Sequence, residues 1–160
     1  MKPLTITSQL EVFDSVEEVS EEIQSLMQQA VEVRDNAYAP YSNFKVGAAI
    51  LLDNEEIVVG SNQENASYPS GLCAERTAIF SAGAIYPDSK IRKIAISAKS
   101  MKHIVDSPVP PCGACRQALV EYEIKQSEPI ELYFMGEKGK VIRSKSVSEI
   151  LPLVFDSTCL

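Results

Sequence analysis

The sequence predicts an α/β protein, a layered sandwich in which helices alternate with strands. Three observations predict it. An apolar stripe with intervals of three and four residues runs from Val16 to Val33, which is the period of a helix. Apolar runs at 44–52, 91–98 and 130–135 have the length and composition of buried strands. Breaks containing proline or glycine, Pro69-Ser70-Gly71 and Pro110-Pro111, stand before two further helical stretches. The 160 residues suit one domain over residues 15–160, preceded by an acidic extension, residues 1–14, expected to be a disordered or surface-packed arm.

Each element has its own signal. Ser15 with Glu18 three positions on has the form of a capping box, so the first helix is expected to open there. Val16, Val19, Ile23, Leu26, Met27, Ala30 and Val33 then form its apolar stripe, and Tyr38-Ala39-Pro40-Tyr41 ends it, because proline disfavours helical geometry at the residue before it. Phe44 to Leu52 reads as a buried strand, Asp53-Asn54 as a turn and Ile57 to Val59 as the hairpin partner. A second helix starts at Cys73, with Ala74, Ala78, Ile79, Ala82 and Ile85 inward, and Ile91 to Ala98 is the third strand. A third helix spans Cys112 to Tyr122, with Ala114, Cys115, Ala118, Leu119 and Tyr122 as its buried face. Ile130 to Met135 and Val141-Ile142 complete five strands, and Ser146 to Leu151 is a short last helix.

Composition narrows the partners. The net charge is -7 and no Lys/Arg-rich block occurs, which argues against a polynucleotide ligand. The first residues lack the apolar core of a signal peptide, and no run approaches the ~18 apolar residues of a membrane span. A cytoplasmic location is therefore expected. In that reducing setting, four cysteines that include a C-x2-C pair point to metal or catalysis sooner than to disulfides.

The chemistry lies in Cys73-Ala74-Glu75-Arg76 and Pro111-Cys112-Gly113-Ala114-Cys115-Arg116. Three thiolates can hold one zinc ion and leave a fourth position open, the mark of a catalytic rather than a structural site. Cys73 and Cys112 both fall at helix starts, where the dipole and free N–H groups favour a thiolate. Cys112 and Cys115, three apart, share a face within one turn. Glu75 lies two residues from Cys73, off that face, which suits a proton carrier near bound water better than a fourth ligand. Arg76, three residues after Cys73, is placed to donate to a thiolate sulfur and offset the surplus charge of three thiolates. A lone C-x2-C pair also arises from buried cysteines on a helix, but Cys-x-Glu at a second helix start makes coincidence the weaker account. Cys159 reads as an incidental thiol and His103, the single histidine, as a solvated loop residue.

These two motifs resemble those of cytidine deaminase, specifically its small three-cysteine class. Two further stretches are similar to that family: Tyr38-Ala39-Pro40-Tyr41-Ser42-Asn43-Phe44-Lys45-Val46-Gly47-Ala48-Ala49 and Asn62-Gln63-Glu64-Asn65-Ala66-Ser67-Tyr68-Pro69. The likeness runs from about Tyr38 to Phe155. Pro110 stands where many members have serine, with the cysteine spacing unchanged.

The resemblance implies a three-layer α-β-α sandwich around a mixed five-stranded sheet, one Zn2+ per subunit on Cys73, Cys112 and Cys115, and Glu75 as the proton shuttle. It implies hydrolytic deamination of cytidine and deoxycytidine to uridine and deoxyuridine plus ammonia, by zinc-bound hydroxide attack at C4, in pyrimidine salvage. Asn62 and Glu64 would hydrogen-bond the ribose, the backbone around Ala66 would read the base edge, and Phe44 would line the pocket or stack on the base. Tyr68 and Phe155 would reach the site of a neighbouring subunit in a homotetramer. On the residues alone, Asn62 and Glu64 could be plain loop residues, and Phe44, Tyr68 and Phe155 packing residues. Two alternatives are a related zinc deaminase of another aminopyrimidine and a non-enzymatic module stapled by zinc. The second needs a fourth protein ligand, for which the sequence offers only Cys159 or His103.

Overall fold

Strand β2 (Phe44–Leu52) turns Ala48, Ile50 and Leu52 to one side and Ala49 and Leu51 to the other, and all five are buried. This is why the run shows no polar alternation: a strand covered on both faces has no solvent side. Strands β4 (Ile91–Ser100) and β5 (Glu131–Met135) behave the same way, with Ile94, Ile96, Leu132 and Phe134 on one face and Ala95, Tyr133 and Met135 on the other. The computed structural model describes all 160 residues and places these strands at the centre of a mixed sheet of order β1-β6-β5-β4-β2-β3. β3 is Ile57–Ser61, β6 is Val141–Ser144 and β1 is Glu11–Phe13. The β4–β5 pair alone is parallel; every other neighbouring pair is antiparallel.

Helix α1 (Glu21–Arg34) packs on one face through Ile23, Leu26, Met27 and Ala30. Helices α2 (Ala74–Ile85) and α3 (Gly113–Gln126) cover the other through Ala74, Ala78, Ile79, Ala82, Leu119 and Val120. Two glycines set how close the layers come. A Cβ at Gly47 would lie 2.0 Å from the Ala30 carbonyl oxygen, and one at Gly60 would lie 2.6 Å from the Ala78 nitrogen. Glycine therefore stands where α1 crosses β2 and where α2 crosses β3. The second crossing fixes the helix that carries Cys73 and Glu75.

The three-layer sandwich agrees with the sequence expectation, and several details correct it. The sheet has six strands rather than five, because Glu11–Phe13 of the extension pairs antiparallel with β6, Val12 opposite Ile142. A three-residue strand is too short to show a period. The first helix opens after Ser20, not at Ser15: Ser15 heads a 3-10 turn, Val16–Glu18, and the Glu18 carboxylate accepts from the Asp14 N–H at 2.9 Å. That helix ends at Arg34 rather than at Tyr38–Tyr41, since Asp35 and Asn36, which compete for backbone hydrogen bonds, begin a turn. Ile85 is exposed, and the buried face of α3 runs through Cys115, Leu119, Val120 and Glu123, leaving Ala114 in solvent.

Glu123 is buried because donors surround it. Its carboxylate accepts from the N–H groups of Ile130 (2.8 Å), Val147 (2.7 Å) and Ser148 (3.1 Å), and from the hydroxyls of Ser146 (2.7 Å) and Ser148 (2.6 Å). Burial alone would raise its pKa, but these donors hold it below the ordinary glutamate value. The anchored segment includes a 3-10 turn, Val147–Ile150, which replaces the expected short helix.

Candidate active site

Cys73 and Cys112 are the residues that begin α2 and α3. Both have extended backbone (φ -71, ψ 156 and φ -66, ψ 166), as a helix-capping residue must. Their carbonyls accept the first helical bonds, from Thr77 N–H at 3.0 Å and Arg116 N–H at 2.9 Å, and neither side chain caps its own helix. Both thiols are thus free to point toward each other across the helix starts.

The Sγ atoms of Cys73, Cys112 and Cys115 all lie within 4.8 Å of one another. Cys73 and Cys112 are 3.9 Å apart, and Cys112 and Cys115 are 3.5 Å apart. Zinc–sulfur bonds of ~2.3 Å at a tetrahedral angle would separate two sulfurs by about 3.8 Å, so the donor set fits zinc. No fourth His, Cys, Asp or Glu belongs to the cluster, and neither Cys159 nor His103 joins it.

Charge is arranged around the sulfurs. The Arg76 Nη2 donates to Cys73 Sγ at 3.6 Å. The Cys73 thiol is lowered to about 5, first by the hydrogen bond it shares with Cys115 and then by Arg76 and Cys112, against a rise from burial. Cys115, buried and sharing that hydrogen bond, is pushed up. Glu75, one turn-position further into α2, is only 5% exposed, and burial raises its pKa above the ordinary carboxylate range. A carboxyl with a raised pKa binds a proton more readily than an exposed one, which suits a group that takes up a proton and passes it on.

Beside the cluster opens a cleft of about 610 Å³. It is within the size range of small-molecule sites. Phe44, Asn62, Glu64, Tyr68, Cys73, Glu75, Arg76 and Cys112 all line it, so the structure brings together eight of the eleven residues singled out from the sequence. Cys115 lies behind the other sulfurs, buried, while Ala66 and Phe155 are outside the lining. Phe155 is exposed on the C-terminal segment, its carbonyl accepting from Gln117 Nε2 at 2.7 Å. Tyr68 is 75% exposed at the cleft mouth, edge-on to Tyr41 at 6.0 Å between ring centres.

The loop Asn62–Asn65 is fixed by pairing rather than left free. Tyr38 N–H donates to the Asn62 carbonyl (3.0 Å) and Glu64 N–H to the Tyr38 carbonyl (2.9 Å), while Gln63 exchanges two bonds of 2.9 Å with Leu72. These bridges lay residues 62–65 between Tyr38 and the approach to Cys73. The lining also includes Tyr41, Ser42, Leu72, Val109 and Pro110, which the sequence did not single out for the site. They come from loops, and a loop residue carries no period; Tyr41 and Ser42 at least lie inside a stretch that resembles the family. A second cleft of about 300 Å³ lies at the far ends of α2 and α3, and none of the candidate residues touches it.

Comparison with known proteins agrees with this geometry. The pattern described as the cytidine and deoxycytidylate deaminase zinc-binding region matches residues 20–128. The cytidine deaminase of Halalkalibacterium halodurans is 40% identical over 134 residues, 82% of this chain and 92% of that protein. That of Sporosarcina psychrophila is 37% identical, over 84% of this chain and 91% of that protein. The crystal structure of the Burkholderia pseudomallei cytidine deaminase superposes with a TM-score of 0.71 at 36% identity, covering 86% of this chain and all of that one. A profile that spans the sheet centre and both cysteine-headed helices, and relatives aligned over most of their length, show that this chain belongs to the cytidine and deoxycytidylate deaminase zinc-binding family.

Proposed function

We propose that this protein hydrolytically deaminates cytidine and deoxycytidine, giving uridine or deoxyuridine and ammonia. One observation carries the reading: a three-thiol cluster of zinc dimensions faces a cleft that also holds a buried carboxyl, Glu75, and a carboxylate suited to a sugar, Glu64. Cys73, Cys112 and Cys115 hold the zinc. Bound zinc lowers the pKa of a water and makes a nucleophile available near neutral pH. Glu75 takes the proton of the attacking water and returns it to ring N3. It then takes the second proton, from the hydroxyl now on C4, and gives it to the exocyclic amine; the C4–N bond breaks, the C4 oxygen becomes a carbonyl and ammonia leaves. Arg76 offsets the charge of the three thiolates through Cys73.

Phe44 forms an apolar wall for the pyrimidine, and Glu64 with Asn62 receives the sugar hydroxyls. A carboxylate there repels a phosphate, which favours a nucleoside over a nucleotide. The backbone around Ala66 reads the base edge. No helix is long and apolar enough to cross a membrane. Tyr68 and Phe155, both exposed, complete the site of a neighbouring copy in a homotetramer. Light scattering should then give a mass of four chains; a monomer would remove that assignment.

The decisive assay is ultraviolet absorbance of cytidine mixed with zinc-loaded protein, repeated with Glu75→Gln. The native protein should consume cytidine, and the variant should keep zinc but lose about 10²–10⁴-fold in kcat, the usual contribution of a positioned acid–base group. A zinc-loaded native protein that leaves cytidine unchanged would overturn the reading.

A further inference from the structure

Ser42 sits where three separate constraints meet. Its hydroxyl donates to Glu64 Oε1 and accepts from Phe44 N–H at 3.0 Å. The other carboxylate oxygen, Glu64 Oε2, accepts from Tyr41 N–H at 2.9 Å and Ser42 N–H at 3.3 Å. On the far side of Phe44, Asn62 Nδ2 donates to its carbonyl at 2.9 Å while Asn62 Oδ1 accepts from Val46 N–H at 2.7 Å. Between them Asn43 adopts a left-handed backbone, φ 57, which turns the chain sharply before β2 begins.

A hydroxyl has one proton to donate. Because the Ser42 proton goes to Glu64 and its oxygen already accepts from Phe44, the hydroxyl cannot rotate without breaking one of the two bonds. The Glu64 carboxylate, with three donors arriving from residues 41 and 42, is held in a single orientation in the cleft. It retains acceptor capacity on Oε1, since an ionised carboxylate has about four acceptor positions and three are occupied. The remaining position is the one a sugar hydroxyl can take. Phe44 is clamped through both its N–H and its carbonyl, so the aromatic wall and the carboxylate are set relative to each other through one small side chain.

We propose that Ser42 is a positioning residue for the substrate's sugar: it orients Glu64 for a ribose hydroxyl and, by the same hydroxyl, fixes Phe44 against the base. The inference rests on the reading that Glu64 faces the sugar of a nucleoside. It assigns to the Tyr41-Ser42 corner a share of nucleoside recognition without placing Ser42 on the substrate. A pre-set carboxylate loses little freedom on binding, which is how orientation becomes affinity.

The test compares steady-state kinetics on cytidine for the zinc-loaded native protein, Ser42→Ala, Ser42→Thr, Glu64→Ala and the Ser42→Ala/Glu64→Ala double variant, with thermal midpoints recorded for all. Ser42→Ala should lower kcat/KM about 10-fold, chiefly through KM, and Ser42→Thr should restore most of it. In the Glu64→Ala background the further Ser42→Ala change should cost less than about twofold, because the group it orients is gone. If Ser42→Ala shifts the thermal midpoint, the comparison moves to Ser42→Thr against Ser42→Val, which have nearly the same shape and differ in the hydroxyl. An active native protein with Ser42→Ala and Ser42→Val within twofold of it overturns the inference and leaves the proposed activity standing, as does a loss equally large with and without Glu64. A native protein inactive on cytidine overturns the proposed activity and this inference with it.

Discussion

The starts of α2 and α3 are built alike and used differently. Each opens on a cysteine in the capping position, and each carries an arginine within its first turn, Arg76 and Arg116. In α2 the arginine turns to sulfur, donating to Cys73 Sγ at 3.6 Å. In α3 it turns to the backbone: Arg116 Nε donates to the Pro111 carbonyl at 2.8 Å and Nη1 to the Ile150 carbonyl at 2.9 Å. One guanidinium reaches a sulfur of the thiol cluster, and the other ties the residue before Cys112 to the C-terminal segment. The difference teaches that local sequence places a thiol, whereas the long-range partner of the neighbouring arginine decides what that helix start contributes.

Removing a ligand should break the comparison most completely, since both helix starts serve one ion. Cys73→Ala and Cys112→Ala should each lower zinc affinity by more than the roughly 10–100-fold that outer partners of metal ligands cost, read as metal content after dialysis against a chelator. Stoichiometric zinc in either variant would show that the cluster is not the site. Next in size is Arg76→Gln, which should retain zinc and lose about 10-fold in kcat, the lower end of what such outer partners contribute. Unchanged turnover would remove the charge-balancing role.

Arg116→Gln sharpens the contrast. It should leave kcat of the fully loaded enzyme within a few fold but lower stability by about 3 kcal/mol, the lower end for two lost hydrogen bonds from a charged donor, and speed zinc release to a chelator. A kcat loss as large as that of Arg76→Gln, with stability unchanged, would make the two arginines equivalent. The last effect is read as a pH dependence and comes from Glu123, further along α3, which anchors the same C-terminal segment. Its folded pKa lies below the ordinary 4.5, so the unfolded chain takes up the proton first as the pH falls. Its contribution is present above that ordinary value and is lost as the pH drops through the folded one. Urea unfolding of Glu123→Gln should therefore show a shallower loss of stability between about pH 5 and pH 3 than the native protein shows. Parallel pH profiles would contradict the anchoring role.

What the sequence made legible follows the same division between local and long-range causes. β2 was readable from Phe44 to Leu52 because burial on both faces leaves a continuous apolar run. The helix starts at Cys73 and Cys112 were readable because proline and glycine mark the breaks before them. The opening of α1 is hidden because Ser15 and Glu18 imitate a capping box, while the Glu18 carboxylate in fact binds the Asp14 N–H ahead of a 3-10 turn. The buried face of α3 is not legible because Glu123 is covered by donors from residues 130 and 146–148, and no apolar period announces a buried carboxylate. Within the site, ligand spacing was local and therefore visible. The Ser42–Glu64 contact spans 22 positions, and only folding brings its ends together.

The short first strand bears on how this protein behaves when crowded. β1 occupies the outer edge of β6, whose backbone groups would otherwise line up as a template for a strand from another molecule. Three residues long, and carrying Glu11 paired with Arg143 at 2.8 Å and with Lys145 at 2.9 Å, β1 offers little room and an unfavourable charge for continued addition. The first residues of the chain thus cover an edge that would otherwise stay open to pairing.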